Sequence, residues 1–248
     1  MRRISILIGA CLASVFSAAI AQEDMTALPV EMFGCTFKDE MGMADIERAN
    51  RSFNNWADRN DVNSVSSLML TPHFFSPDQE FELIGMDIWE SGADMGAGVT
   101  KLMADDSAVE DYVAALDCPA HALFALVGIK PPQGDPQGGL LEFTDCTLRA
   151  DHSADDGIAA ATAIANMMTP WGLNDAHAVL FPVSGESPDA DYTFKWITYY
   201  PSVAAFGGVF DHFAAGAARE AGAIVDPVMS CNNSRMYDVS TVRTAGED

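Results

Sequence analysis

The sequence predicts an α+β fold in which two β-α-β-β-α-β repeats of one chain pack sheet against sheet. The first observation is an internal repeat, because residues 81–99 recur at an offset of 111 residues with aromatic and glycine positions in common. The matched pairs are Phe81 with Tyr192, Trp89 with Tyr200, Met95 with Phe206 and Gly96 with Gly207. The second observation is a Pro- and Gly-rich linker, residues 131–139, between the copies. Shared spacing of this length indicates a duplication.

The first copy, residues 32–130, follows the order of elements in this repeat. Apolar residues at Ile46, Ala49, Phe53 and Trp56 recur at the three- and four-residue spacing of one helical face. The segment 81–89 is apolar on both faces, so we expect a central strand covered on both sides. Strands are predicted at about 32–38, 64–75, 81–89 and 120–129. Helices are predicted from the segment 43–47 to a stop at Asn60-Asp61, at about 94–104 and within 107–116.

The second copy, residues 140–248, repeats the same order. Strands are predicted at about 140–148, 176–183, 191–200 and 235–243, and helices at about 154–168 and 204–219. Residues 22–31, before the first copy, are predicted to be an extended leader.

The first 21 residues have the layout of a secretory signal peptide. Arg2 and Arg3 precede an apolar run from Ile4 to Ile20, and small residues end at Ala21. A lipoprotein signal acylated at Cys11 is the alternative. No later segment reaches the roughly 18 apolar residues of a membrane span. We therefore expect a soluble protein, periplasmic or secreted.

Four cysteines remain after the predicted signal peptide, one early and one late in each copy. Cys35 matches Cys146 at the same offset, and Cys118 matches Cys231 in the late position. Four cysteines allow three connectivities, and the duplication favours Cys35–Cys118 with Cys146–Cys231, since each copy is then closed independently. No CxxC pair or histidine cluster supports a metal site, so none is predicted.

The formal net charge is −23, with 36 acidic and 13 basic residues. Nucleic acids and anionic lipids need a basic surface, so neither is an expected partner. An acidic, well-solvated surface explains the charge. A calcium site is the alternative, but no EF-hand-type loop supports it.

The β-α-β-β-α-β order of each copy is the ferredoxin-like plan, in which the first strand lies beside the fourth. Two such sheets can bury their open faces against each other. This arrangement resembles the dimeric α/β-barrel superfamily, here fused in tandem. The resemblance implies a pseudo-twofold barrel in a monomer. It also implies relatives among cofactor-free monooxygenases, haem-handling enzymes and stress-responsive proteins, but it carries no catalytic residue with it.

The space between the two sheets is the predicted ligand site. If helices cover Ile84, Met86 and Ile88, the other strand face points inward, and an aromatic wall with few polar groups is typical of small-molecule sites. The alternative is that these rings only fill a core. The candidate ligand-binding residues are Leu83, Asp87, Trp89, Phe194, Trp196 and Tyr200.

Three residues are candidates for catalysis. Asp87 is an acid on an apolar strand, which requires a partner, a metal or a raised pKa. His73 and His121 lie at strand ends in the first copy only, and each has a structural role as its alternative. Haem ligation by a histidine is a further alternative without motif support, and no cofactor is predicted. No GxSxG, P-loop, GxGxxG or HExxH motif is present.

Two function classes follow from these patterns. The favoured prediction is a secreted or periplasmic binding or accessory protein with a small apolar or aromatic ligand between the repeats. The alternative is a cofactor-free monooxygenase-like or isomerase-like enzyme that uses Asp87 and a histidine as acid or base.

Overall fold

The computed structural model describes residues 27–75, 79–133 and 138–246. The predicted signal peptide, residues 22–26 of the predicted leader and the middle of the predicted linker lie outside these ranges. Among the described residues, no helix is long and apolar enough to span a membrane.

Within the described residues, eight antiparallel strands close into a barrel in the order β1-β3-β2-β9-β5-β7-β6-β4 and back to β1. A short ninth strand, β8, pairs with the end of β5. The strands are β1 (Leu28–Phe37), β2 (Val65–Phe74), β3 (Leu83–Trp89), β4 (Leu116–Lys130), β5 (Leu140–Leu148), β6 (Ala176–Ser184), β7 (Phe194–Tyr200), β8 (Met229–Cys231) and β9 (Arg235–Arg243).

The helices lie outside the barrel and form two groups. We call residues 28–130 the N-terminal half and residues 140–243 the C-terminal half. The helices of the first are α1 (Met43–Arg59), α2 (Gly92–Ala104) and α3 (Glu110–Ala115), and those of the second are α4 (Ala154–Met168), α5 (Val203–His212) and α6 (Ala218–Val225).

The barrel interior is filled by apolar side chains from all eight strands. Ile84 and Met86 of β3 face Ile197 of β7 in this core. The predicted site assumed that helices cover Ile84 and Met86, and that assumption was wrong. Alternation defines two faces on a strand, but β3 is apolar on both, so the pattern alone could not distinguish the inner face from the outer one.

Two disulfides each close one half of the chain. Cys35 is bonded to Cys118 and Cys146 to Cys231, the pairing expected from the repeat. In the N-terminal half this bond joins the neighbouring strands β1 and β4, which also carry a register shift between Gly34 and Thr36. In the C-terminal half it joins β5 to β8, a strand that the sequence analysis did not predict.

Two further boundaries differ from expectation. Strand β1 begins at Leu28, inside the predicted leader, because residues from Leu28 onward pair with β4 and those from Val30 onward also pair with β3. The helix predicted at 204–219 is interrupted by a π-helical turn, Phe213–Ala217, between α5 and α6. Gly216 there has φ 127°, a conformation open to glycine that breaks regular helix geometry.

Candidate functional site

A cavity of about 460 Å³ lies in the N-terminal half, between the outer face of the sheet and helices α1 to α3. Its walls are mainly apolar and aromatic, and its polar groups lie at two places. Ser67 and Asp87 come from the sheet, whereas Lys38 and Asp117 are exposed and mark the solvent side. The walls include Phe33, Phe53, Met69, Leu83, Tyr112 and Leu116.

Two glycines shape the helix–sheet space. Gly98 of α2 lies against the Trp89 ring, where an added Cβ would stand 2.4 Å from the ring. This close approach anchors α2 on the sheet. Gly85 of β3 lines the cavity, and an added Cβ there would meet only Phe33, at 3.6 Å. The missing side chain at Gly85 therefore leaves part of the space open.

Asp87 lies at the centre of the sheet row that lines the cavity. Its cross-strand partners are Glu31 on β1 and Ser67 on β2. Burial raises the pKa of Asp87 to about 6, the nearby Ser67 hydroxyl opposes the rise, the Glu31 carboxylate adds to it and His121 opposes it. Among the ion pairs of the described residues, none involves Asp87.

Ser67 supplies the second polar group that the sheet contributes to the cavity. It is 5% exposed, and its Oγ has no hydrogen-bond partner of normal geometry in the described part of the chain. A buried hydroxyl without such a partner costs free energy. A polar group of a molecule in the cavity would satisfy it.

Glu31 is held from two sides behind Asp87. Trp89 donates from Nε1 to Glu31 Oε2 at 3.0 Å, and His121 Nε2 lies 3.0 Å from Glu31 Oε1. The His121 ring also stacks on Phe33, with centroids 4.2 Å apart, and more than half of its side chain is exposed. Through His121, Glu31 and its cross-strand partner Asp87 are connected to the protein surface.

Tyr112 of α3 closes the cavity opposite the sheet. Its hydroxyl donates to Asn50 Oδ1 at 2.6 Å. Burial raises the pKa of Tyr112, and the Asp87 carboxylate adds to the rise. The phenol therefore stays neutral at physiological pH.

The predicted ligand-binding residues do not form one site. They lie on the outer faces of the two sheets, so the predicted inter-repeat cavity is a filled apolar core instead. Leu83 and Asp87 line the N-terminal cavity, and Trp89 is buried behind it as a hydrogen-bond donor. The residues beneath the helices of the C-terminal half are Phe194, Trp196 and Tyr200.

The catalytic candidates are also separated. Asp87 lines the cavity, whereas His121 lies outside the lining and contacts Glu31 and the lining residue Phe33. His73, near the end of β2, pairs with Asp238 at 2.9 Å and is absent from the cavity lining. The sequence analysis missed Glu31, although its counterpart at the repeat offset is Glu142, and it missed Ser67, for which the sequence offered no signal.

No protein-family model matches the chain, and no curated protein matches it. Solved structures do match. A candidate monooxygenase from Lactobacillus acidophilus has a TM-score of 0.55 and 9% identity, covering 88% of this chain and 96% of its own. A chlorite dismutase from Candidatus Nitrospira defluvii has a TM-score of 0.53 and 6% identity, covering 87% and 92%. A haem-binding protein from Thermus thermophilus has a TM-score of 0.52 and 8% identity, covering 86% and 91%.

These similarities show the fold alone, which the chain shares with dimeric α/β-barrel proteins. They contradict the favoured prediction of a secreted or periplasmic binding or accessory protein. Two of the similar structures are described as enzymes and the third as haem-binding. The comparison favours the alternative prediction, an enzyme.

The cavity does not fit haem well. Haem iron is held by His, Cys thiolate, Met or Tyr. Among the described residues the lining has no histidine, its cysteines form the disulfide Cys35–Cys118, and Tyr112 is a neutral phenol bonded to Asn50. Met69 is packed in an apolar cluster, and the lining offers it no histidine as the second ligand with which methionine holds haem. No group of three or more metal-ligating side chains occurs among the described residues.

Proposed function

We propose that this chain is an enzyme of the monooxygenase-like or isomerase-like kind that binds a small apolar or aromatic molecule in the N-terminal cavity. Asp87 is its acid–base group. The observation that carries the proposal is a carboxyl with a pKa of about 6 on the floor of an apolar cavity, beside the buried Ser67 hydroxyl. Perturbed acids in clefts are typical of functional sites.

The raised pKa suits Asp87 to proton abstraction. Above about pH 6 the carboxylate is mostly ionised, yet it is a stronger base than an ordinary aspartate. The apolar walls strengthen its electrostatic interaction with a proton donor. A carbon or hydroxyl acid lying against Asp87 would lose its proton to this carboxylate, and Ser67 would donate a hydrogen bond to the substrate oxygen.

The fate of the resulting anion separates the two reaction types. Return of the proton to a different atom gives an isomerisation. Addition of dissolved oxygen to a carbanion, followed by return of the proton, gives a hydroperoxide. Loss of water from the hydroperoxide leaves a carbonyl group, so that one oxygen atom enters the product and the other leaves as water, with dissolved oxygen as the oxidant. Both reaction types require the same first step, which is the one that Asp87 performs.

The test is a panel of apolar ketones, phenols and hydroxyquinones incubated with the protein in D₂O under air. We expect deuterium incorporation or oxygen uptake with at least one compound, and Asp87→Asn should lower that rate by about 10²-fold or more. Asp117→Asn, at the solvent side of the same cavity, is the matched control and should keep the rate. Equal rates for Asp87→Asn and the wild-type protein would exclude Asp87 as the base.

We also infer that the chain is a tandem duplication of a ferredoxin-like repeat, with copies at residues 32–130 and 140–248. The strand order β4-β1-β3-β2 in the N-terminal half and the separate closure of each half by a disulfide support this. One chain would then supply both halves of the barrel, so we expect a monomer. Sedimentation at about one chain's mass is the expected result, and a stable dimer would contradict it.

The disulfides and the predicted signal peptide bear on the compartment in which the protein is located. Two disulfides and the predicted signal peptide at residues 1–21 support a periplasmic or secreted enzyme. Determining the N-terminus of the protein recovered from its native source tests this, since cleavage after Ala21 is expected. An uncleaved chain recovered from the cytoplasm would contradict the inference.

A further inference from the structure

The second carboxylate of the sheet row, Glu31, does not line the cavity. It is 9% exposed, and both of its oxygens are occupied, Oε2 by Trp89 and Oε1 by His121. Glu31 and Asp87 are direct cross-strand partners on the same face of the sheet. Side chains at such positions stand close together, so their charges interact.

We propose that Glu31 is a positioning residue that, together with His121, sets the protonation of Asp87 from behind the cavity. The inference rests on the proposed function, since it assigns a control element to the same acid. Glu31 places a negative charge beside Asp87 on the side away from the substrate. His121 holds that charge in place and contributes an opposing positive charge when its ring is protonated.

Hydrogen bonding fixes this geometry. Trp89 is 2% exposed and locked between α2 and the sheet, so its Nε1 is a fixed donor. His121 is fixed by its stack on Phe33, which itself lines the cavity. Glu31 therefore has one donor on each oxygen and little freedom to turn toward solvent.

The C-terminal half repeats one part of this arrangement without the other. Glu142, the counterpart of Glu31, accepts a hydrogen bond from Tyr200 at 2.7 Å, and Tyr200 is the counterpart of Trp89. Thr198 occupies the position of Asp87, and Met236 of β9 is the cross-strand neighbour of Glu142. The glutamate–aromatic pair is thus common to both halves. The histidine of the C-terminal row, His177, lies beside Thr198 and contacts Asp175 at 2.6 Å, whereas His121 in the N-terminal half contacts the glutamate itself.

Other charges near Asp87 act from farther away or from the solvent side. Tyr112 on α3 is neutral, and Lys38 and Asp117 are exposed at the solvent side of the cavity, where water screens them. On β9, Arg243 is the cross-strand partner of Ser67, and its guanidinium donates to Asp58 Oδ1 at 2.7 Å and Asn63 Oδ1 at 2.8 Å. Among the described residues, the ionisable groups around Asp87 are therefore Glu31, Lys38, Tyr112, Asp117, His121 and Arg243. Of these, Glu31 is the direct cross-strand partner of Asp87, and His121 contacts Glu31, so these two residues should affect the protonation of Asp87 most.

The test is a ¹³C NMR titration of side-chain carboxyl groups, with the Asp87 signal identified as the one missing from Asp87→Asn. Glu31→Gln keeps a hydrogen-bond acceptor for Trp89 but removes the charge. It should move the Asp87 midpoint from about 6 to lower pH by roughly half a pH unit. His121→Gln keeps a donor for Glu31 and should move the midpoint in the opposite direction, to higher pH. Glu142→Gln is the matched control and should leave the midpoint unchanged.

Opposite shifts of the Asp87 midpoint in the two variants distinguish a loss of charge from a loss of structure. A loosened structure would expose Asp87 to water in both variants and would lower both midpoints. His121 is exposed enough for its substitution to leave the fold intact, so the test stands even if Glu31→Gln folds poorly. An unchanged midpoint in His121→Gln, or an unchanged one in a folded Glu31→Gln, would overturn the proposal. The titration needs no substrate, so its outcome is independent of whether Asp87 proves to be the catalytic base.

Discussion

At matched positions of the two halves, the N-terminal sheet has Gly85 and Asp87 where the C-terminal sheet has Trp196 and Thr198. The Trp196 side chain belongs to both apolar clusters beneath the C-terminal helices and joins them into one packed layer. In the N-terminal half the corresponding clusters share Tyr112 of α3, and the cavity lies between the two. The absence of a side chain at Gly85 therefore contributes to the open space in one half, at the position where the Trp196 ring packs in the other.

The two halves also differ in the contacts that their sheet acids, Asp175 and Asp87, make with cations. Asp175, which is fully buried, contacts Lys130 Nζ at 2.9 Å and His177 Nε2 at 2.6 Å. Burial alone would raise the pKa of Asp175, but hydrogen bonds from His177 and Lys130 hold it at about 2. Among the described residues no cation is in contact with Asp87, and its pKa is raised. An acid paired with cations stabilises the C-terminal half, whereas an acid without such a pair is available for chemistry in the N-terminal half.

The largest effect is expected from removing the paired acid. Asp175→Ala leaves the buried His177 and the mostly buried Lys130 without their partner, which should lower the free energy of unfolding by about 3–5 kcal/mol. Urea unfolding monitored by circular dichroism measures this.

The control is the exposed pair of the same chemistry. Asp238 contacts His73 with about half of its side chain in solvent, so Asp238→Ala should cost less than about 1 kcal/mol. Similar losses for the two variants would contradict the contrast between buried and exposed acids.

The next largest effect concerns the open space. Gly85→Trp copies the residue of the filled half into the cavity and should reduce binding of a neutral aromatic probe such as 1-naphthol by at least roughly tenfold. The expected stability cost is about 1–3 kcal/mol, because the new ring enters existing space but must be accommodated beside Phe33. Fluorescence titration and thermal unfolding measure the two effects.

Gly85→Ala calibrates that experiment. Its single methyl group meets Phe33 at an ordinary contact distance, so binding should be nearly retained. Unchanged 1-naphthol binding in Gly85→Trp would mean that the probe binds elsewhere and that the cavity is not the site.

The sequence predicted the order of elements and the disulfides because these depend on local periodicity and on matched positions in the repeat. It could not assign the inner face, since Ile84 and Asp87 lie on opposite faces of a strand that is apolar on both. It identified Asp87 because an acid in such a strand is unusual. Ser67 and Tyr112 join Asp87 only through tertiary packing, which leaves no spacing signal in a single sequence.

The smallest effect, and the one that most directly tests the state of Asp87, is the stability of Asp87→Asn as a function of pH. The pKa of Asp87 is about 6 in the folded protein against 3.8 for an ordinary aspartate, so the folded state binds more protons between these values. Ionisation therefore costs stability as the pH rises through this window, and the loss persists above it. Asparagine carries no charge and avoids this cost.

Asp87→Asn should accordingly be more stable than the wild-type protein at pH 8, by about 1–2 kcal/mol, a value reduced from the full shift because the carboxyl keeps some contact with solvent. The advantage should disappear below about pH 4, where both side chains are neutral. Urea unfolding at pH 3.5, 5 and 8 measures the difference, and Asp117→Asn should show no such trend because Asp117 is exposed. A variant that is less stable at pH 8 than at pH 4, relative to the wild-type protein, would mean that Asp87 is paired like Asp175, and the contrast between the halves would fail.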